Sequence, residues 1–526
     1  MPLNKTQKSD LPLRSALFPY QATLAIFPEM DQLLEHADMV RKEVGKRTSQ
    51  KHKAELGQFM TPLPVARFMA SLFSPSTLQT ARLLDAGAGI GSLSGAFLAR
   101  TASGGFNFPR LEVAAYEIDA NLREHLSRTL ESYQSKPATE ICVIPCDFIE
   151  EATRLIREGT HRFTHAILNP PYKKMNSASH HRHLLRTVGI ETVNLYSAFV
   201  ALTIELMQPG GQVVAIIPRS FCNGPYYKPF RELILAKTAI KHIHLFAARN
   251  RAFKDDDVLQ ENIIILLERA TLQGSITIST STDGSFTDTE SHVHPFDHIV
   301  FPEDPEHFIH IPTSPECNHN EFFSAIQYSL SDLGLEVSTG PVVDFRLKPH
   351  LRQMPEPGTV PLLYPGHFSG QAIDWPKPGT KKPNAILRNQ ETEKWLYPNG
   401  CYVVVRRFSS KEEKRRVMAS VVNPDSFNAP TLGFENHLNV FHSGKRGISK
   451  NLAHGLSVYL NSTIVDEQFR SFSGHTQVNA TDLRLLKYPS RDALTHLSPW
   501  AKDQYDFTQQ QIDEIMKSLI CQNTTI

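Results

Sequence analysis

From about residue 81 the chain alternates short apolar runs with amphipathic stretches. ARLLDAG, LEVAAYEID, EICVIPCD, FTHAILNPP, QVVAIIPRS, KHIHLFA and ENIIILLE have strand length, and helix-like segments such as LYSAFVALTIELM lie between several of them. This alternation predicts an α/β domain with a largely parallel sheet and helices on both faces. Residues 1–54 read as a helical lead-in, with apolar positions at irregular helical spacing in ATLAIFPEMDQLLEHADMV before the basic run RKEVGKRTSQKHK. After about residue 270 the texture becomes Ser/Thr-rich, in TLQGSITISTSTDGSFTDTESH, which suits a linker or an edge hairpin. The pattern therefore sets a first domain over 55–300. Residues 320–526 carry many Pro and Gly turns, short strands in CYVVVRRF and RVMASVV, and few long periodic helices, which predicts a separate, irregular α+β domain.

Length agrees with two domains, because single cores stop growing near ~250–300 residues and the chain has 526. Hydrophobic residues at 40% and charged residues at 21% describe a globular protein and exclude a disordered or fibrous one. The opening MPLNKTQKSD has no apolar signal region, and no run reaches the ~20 apolar residues of a membrane span, so a cytoplasmic protein is expected. Six cysteines, at 142, 146, 222, 317, 401 and 521, form no CxxC pair and support neither a disulfide framework nor a zinc site. A net charge of +1 means that any nucleic-acid contact must be a local patch.

The chemistry concentrates at strand ends. The first strand runs into Asp85-Ala86-Gly87-Ala88-Gly89-Ile90-Gly91, after which a helix is expected from about Ser92. Closely spaced glycines let a ligand approach the backbone where open α/β sheets bind ligands. The spacing is GxGxG, unlike the GxGxxG of dinucleotide readers, and Asp85 suits a methionine ammonium group better than a pyrophosphate. The second strand ends in Glu117-Ile118-Asp119, where an acid reads ribose hydroxyls; Glu117 is the ligand candidate and Asp119 the cap of the next helix. The third ends in Asp147-Phe148, an acid for an adenine amino group and a ring for its face.

The fourth strand leads directly into Asn169-Pro170-Pro171-Tyr172. Two prolines fix this backbone, so the Asn169 side-chain oxygen and the Pro170 carbonyl become rigid acceptors. An amino group conjugated to a ring is a poor nucleophile, and two acceptors on its hydrogens favour the reactive pyramidal form. Tyr172 is placed to stack on a planar base.

These residues resemble the gamma-class (TaqI-like) adenine-N6 DNA methyltransferases of type II restriction-modification systems, over roughly residues 55–270. The resemblance takes in Gly57-Gln58-Phe59-Met60-Thr61-Pro62, where the family packs its aromatic and threonine around the methionine part of S-adenosylmethionine. It implies a Rossmann-like methyltransferase domain, S-adenosylmethionine as cofactor, and an adenine flipped from the duplex. It also implies a second aromatic against that base within Pro218–Glu232, with Tyr227 the best match and Tyr226 and Phe221 close by. Cofactor residues are then Phe59, Thr61, Pro62, Asp85, Gly87, Gly89, Gly91, Glu117, Ile118, Asp147 and Phe148, and catalytic residues Asn169, Pro170, Tyr172 and Tyr227.

In the C-terminal half, Phe472–Arg484 and Gly433–Asn439 resemble parts of target-recognition domains, with His475 and Gln477 as DNA-binding candidates. Phosphate contacts are expected from Lys173, Lys174, Arg182 and Arg186, a stretch without an acid from 173 to 186, and from Arg406-Arg407 and Lys414-Arg415-Arg416. A monomer acting on double-stranded DNA, beside a restriction endonuclease on a separate chain, is expected. No metal site is expected: Asp255–Asp257 lacks a companion cluster, and no nuclease motif is present. The alternatives are an RNA adenine or protein glutamine methyltransferase, since both also carry Asn-Pro-Pro-Tyr, or a DNA-binding protein that holds the cofactor without turnover.

Overall fold

The computed structural model describes residues 28–48, 59–76, 78–133, 138–246, 261–312, 326–369, 372–409, 413–473, 476–498 and 508–523. They fall into two units, one built from residues up to Arg219 with Tyr226–Phe296, the other from Ser220–Pro225 with the residues from Asp297 onward.

The first unit is a nine-stranded sheet. In chain order its strands are β1 (Thr80–Ala86), β2 (Arg110–Tyr116), β3 (Thr139–Ile144), β4 (Phe163–Leu168), β5 (Met207–Pro218), β6 (Thr238–Phe246), β7 (Asn262–Arg269), β8 (Ile276–Ser281) and β9 (Glu290–His294). They lie side by side as 3-2-1-4-5-7-6-8-9. The five strands on the β3 side are mutually parallel, whereas β7 runs antiparallel to both β5 and β6. The Ser/Thr-rich run is the edge of this sheet: β8 joins β6 in parallel and β9 turns back along β8. Its alternating Ile276 and Ile278 are buried, which ties the run to the sheet.

Among the described residues the α-helices of this unit are α1 (Pro28–Arg47), α2 (Leu63–Ser71), α3 (Ser92–Ala102), α4 (Ala120–Glu131), α5 (Phe148–Arg157), α6 (His180–Thr187), α7 (Leu195–Leu206) and α8 (Lys228–Lys237). Of the expected helical lead-in, α1 lies within the described residues, and its Met30 and Leu34 enter the same core as Val65, Phe68 and Phe97. α7 is buried nearly all round, which explains why its sequence is almost uniformly apolar. Central β4 is buried at every residue, as a strand covered on both faces must be.

What places the site is the reversal of strand order. β1 sits between β2 and β4, so the chain leaves β1 toward one edge and later returns on its other side. The loops after β1 and β4 therefore open on one crevice, where doubly wound sheets bind ligands.

The second unit is α+β. An antiparallel sheet pairs Glu336–Thr339, Leu438–His442, Tyr402–Arg406 and Ala419–Val422, and a five-stranded sheet includes Thr359–Leu363 and Thr431–Phe434. Helices Lys450–Leu460 and Thr463–Phe472 help form one core, in which Leu456, Tyr459 and Phe469 meet Val403, Val405 and Phe441. Among the described residues no helix is long and apolar enough to cross a membrane.

Candidate active site

The loop after β1 is shaped by glycine. Gly87, Gly89 and Gly91 have φ of 80°, 58° and 88°, a left-handed region that side chains disfavour. The amides of Gly87 and Ala88 donate to the Tyr116 carbonyl at 3.0 and 2.8 Å, folding the loop over the end of β2. A Cβ placed on Gly89 would meet no atom within 4 Å, so the loop leaves open space there. Gly91 is the N-cap of α3.

This loop forms one wall of a cleft of about 840 Å³, mouth included, a size suited to small ligands. Phe59, Thr61, Gly87, Gly89, Glu117, Ile118, Asp147, Phe148 and Asn169 line it together. Pro62, Asp85, Gly91, Pro170, Tyr172 and Tyr227 lie outside the lining.

Asp85 is a correction to the sequence reading. It is fully buried, and its Oδ2 accepts from the Ser94 amide at 3.2 Å and the Ser94 hydroxyl at 2.6 Å. The side chain turns under the loop and braces the start of α3 instead of facing a ligand. Burial raises its carboxyl to about 7.

Glu117 is 4% exposed, and its two oxygens accept from the amides of Gly89 and Asp119, each at 2.8 Å. Burial pushes its carboxyl up, with those two bonds opposing the shift. Each oxygen keeps further acceptor capacity toward the cleft. Asp119 caps α4 through the Asn121 amide at 2.9 Å. Asp147 is both cap and cleft residue: Oδ1 accepts from the amides of Ile149 and Glu150 at 2.8 and 3.2 Å, and Oδ2 lies 3.1 Å from His181 Nε2. Phe148 packs beside Tyr116 and Phe199, with ring centroids 5.2 and 5.1 Å away. Phe199 also lines the cleft and carried no sequence signal, because it is one apolar residue within the uniformly apolar α7.

Asn169 is held by a backbone that cannot be mistaken for a donor. Its Nδ2 donates to the Phe59 carbonyl at 2.7 Å and to Thr61 Oγ1 at 3.1 Å. A carbonyl only accepts, so the amide nitrogen must face it and Oδ1 must point the other way. The Tyr172 hydroxyl lies 3.0 Å from that Oδ1 and 3.1 Å from the Ile216 carbonyl. Its buried surroundings raise the phenol above its ordinary range. Tyr172 thus anchors Asn169 through its hydroxyl, while its ring lies 5.8 Å from Phe59 and 6.2 Å from Tyr196. Tyr227 continues the row at 5.6 Å from Tyr196, and its hydroxyl accepts from Asn194. Tyr226 is 75% exposed and Phe221 is fully buried, which separates the three aromatic candidates of that segment.

The expected phosphate contacts divide. Lys173 and Lys174 are exposed. Arg182 and Arg186 are instead both ion-paired with Glu191, so the stretch that is acid-free in sequence shares an acid in space, and the Arg182 side chain is only 12% exposed. In the second unit Arg406 donates to the Phe368 carbonyl at 2.6 Å, Arg407 to the Asn436 carbonyl at 3.2 Å, and Arg416 is 1% exposed; these guanidinium groups brace the fold. Gln477 lies beside Arg407, accepting at 3.4 Å, and Val478 N–H donates to the Arg407 carbonyl at 2.7 Å. The Arg407 amide in turn donates to the His437 carbonyl at 2.9 Å, so the segments around 437 and 477 meet across this strand end. His475, Gly57, Gln58 and Asp255–Asp257 lie outside the described residues. Among the described residues no group of three or more His, Cys, Asp or Glu is arranged to hold a metal ion.

The Eco57I restriction-modification methylase family matches residues 98–253. The type II methyltransferase M.BsuBI of Bacillus subtilis is 55% identical over 499 residues, covering 93% of this chain and 99% of the relative. M.PstI of Providencia stuartii, also a type II methyltransferase, is 41% identical over 488 residues, covering 91% and 96%. The type IIL restriction-modification enzyme MmeI, solved in complex with DNA, has a TM-score of 0.50 at 10% identity, covering 94% of this chain and 75% of that one; this is a likeness of fold.

Proposed function

Because the chain belongs to the DNA methyltransferases of type II restriction-modification systems, we propose that it methylates the N6 amino group of adenine within a specific duplex sequence, as a gamma-class enzyme using S-adenosylmethionine. The observation that carries this reading is Asn169, whose oxygen is oriented by the Phe59 carbonyl while the residue lines the same cleft as Glu117 and Asp147.

The cleft fits the cofactor. The open space at Gly89 admits a ligand against the backbone, Glu117 offers acceptors for ribose hydroxyls, and Asp147 offers one for an adenine amino group. Phe148 and Phe199 supply apolar walls. Bound S-adenosylmethionine supplies an electrophilic sulfonium methyl group.

On the target side, Asn169 Oδ1 and the Pro170 carbonyl accept the hydrogens of the adenine amino group. Oδ1 accepts the Tyr172 hydroxyl on one lone pair and keeps the other for the base. Tyr172 and Tyr227 border the extruded ring and offset part of its unstacking cost. Asn169 and the Pro170 carbonyl would hold the amino nitrogen in line with that methyl group, whose transfer would leave the sulfur neutral and release the amino proton to water. Positioning supplies the rate, without a strong general base.

Lys173 and Lys174 contact phosphates, and the second unit, with Gln477 at the meeting of its two segments, reads the sequence. Methylation then protects the site from a separate cognate endonuclease, and the enzyme acts as a cytoplasmic monomer. The test is transfer of radiolabelled methyl from S-adenosylmethionine to unmethylated duplex DNA, with Asn169→Ala alongside and the product digested to nucleosides. Label in N6-methyladenosine that the substitution abolishes supports the reading. Label in RNA or protein alone defeats it.

A further inference from the structure

The helix that comes after the Asn-Pro-Pro-Tyr turn touches one residue of the cofactor cleft, Asp147. Its first turn carries His181, whose Nε2 lies 3.1 Å from Asp147 Oδ2. Asp147 has its other oxygen committed to the first amides of α5, so Oδ2 is the oxygen that His181 can steer. Both side chains are partly exposed, at 34% and 23%. The contact is therefore no core staple.

We propose that His181 is a positioning residue for cofactor selection: by donating to Oδ2 it fixes the Asp147 carboxylate in the orientation that accepts an adenine amino group. This rests on the function proposed above, in which Asp147 reads the cofactor's adenine. A carboxylate free to rotate about its last bond accepts equally from water, whereas one gripped at both oxygens presents its remaining lone pair in a single direction. The grip strengthens when the imidazole is charged. Asp147 favours that form, and Glu150 across on α5 adds to it, with His180 as the neighbouring titratable group on α6 and Cys146 just before Asp147.

The test is calorimetric binding of two product analogues to the intact protein without DNA. S-adenosylhomocysteine carries the 6-amino group; S-inosylhomocysteine carries a carbonyl oxygen there, which a carboxylate repels. The wild type should prefer the adenosyl compound, and His181→Leu should lower that preference about tenfold, the scale of one hydrogen bond to a charged group. His181→Gln, which retains a donor, should restore part of it. The wild-type preference should also weaken above the imidazole pKa, and that of the leucine variant should not. Equal weakening of both ligands by His181→Leu, with the preference intact, would reduce His181 to a structural contact and overturn the proposal. Failure of the wild type to bind S-adenosylhomocysteine would instead overturn the cofactor reading, and the proposal with it.

Discussion

Asn169→Asp removes both N–H donors of the side-chain amide and adds a charge at a position where the surrounding acceptors leave no room for either change. Nδ2 now donates 2.7 Å to the Phe59 carbonyl and 3.1 Å to Thr61 Oγ1. In aspartate that position holds an oxygen, which cannot sit 2.7 Å from a carbonyl oxygen without repulsion, so the side chain must swing away or take up a proton. Swinging leaves the Phe59 carbonyl unpaired, at a cost of about 1–3 kcal/mol, and takes Oδ1 off its line beside Tyr172. A loss of about 3 kcal/mol in transition-state stabilisation corresponds to roughly 100-fold in rate. Thr61→Val removes only the longer bond and should cost about 1 kcal/mol, or roughly fivefold. Single-turnover methyl transfer at saturating DNA measures both, with S-adenosylhomocysteine binding as the control for cofactor affinity. If Asn169→Asp stays within fivefold of the wild type, the orientation argument is wrong.

Three further outcomes are expected from the first unit. Glu117→Ala removes the acceptor for two backbone amides and should lower S-adenosylhomocysteine affinity at least tenfold, with about 2 kcal/mol of stability lost in urea unfolding. Gly91→Ala places a Cβ at φ 88°, 3.0 Å from Leu126 Cδ1, and should lower stability by about 1–2 kcal/mol in the same assay. His165 and His242 are buried with pKa values held down to about 4, and burial also holds His244 well below its ordinary range. The unfolded chain protonates these histidines first, so their contribution is complete above pH 6.5 and is lost as pH falls toward 4. Between pH 6.5 and 5 each should cost about 2 kcal/mol, and urea midpoints of His242→Gln should fall less steeply with acid than those of the wild type.

The α/β half was legible because its signals are short-range. Continuous apolar runs mark strands buried on both faces, and the residues just past them, Gly87 to Gly91, Glu117, Asp147 and Asn169, come after strand ends that the parallel connections bring to one edge. What the sequence could not show depends on partners distant along the chain or on side-chain direction. Asp85 stands two residues before Gly87, yet its side chain points inward to Ser94. Arg182 and Arg186 read as an acid-free patch because Glu191 comes after the window and returns to it in space. The aromatic after Asn-Pro-Pro suggested only a stacking ring, whereas the Tyr172 hydroxyl is also a brace whose second acceptor, Ile216, belongs to β5. Phe199 was invisible because burial on every side of α7 erases the periodicity that would have singled out a cleft-facing residue. In the second unit, short strands and frequent turns gave the class, but its antiparallel pairings join residues as far apart as Val337 and Phe441, which no local pattern encodes.

The central claim is adenine-N6 methylation of DNA, and one measurement addresses it directly. The chain is expressed in a bacterial host that lacks DNA methyltransferases, and the genomic DNA is digested to nucleosides and resolved by liquid chromatography with mass spectrometry. N6-methyldeoxyadenosine above the host background, absent when Asn169→Ala is expressed at equal level, is the predicted result. N4-methyldeoxycytidine in its place, or no methylated nucleoside from a folded protein that binds S-adenosylhomocysteine, contradicts it.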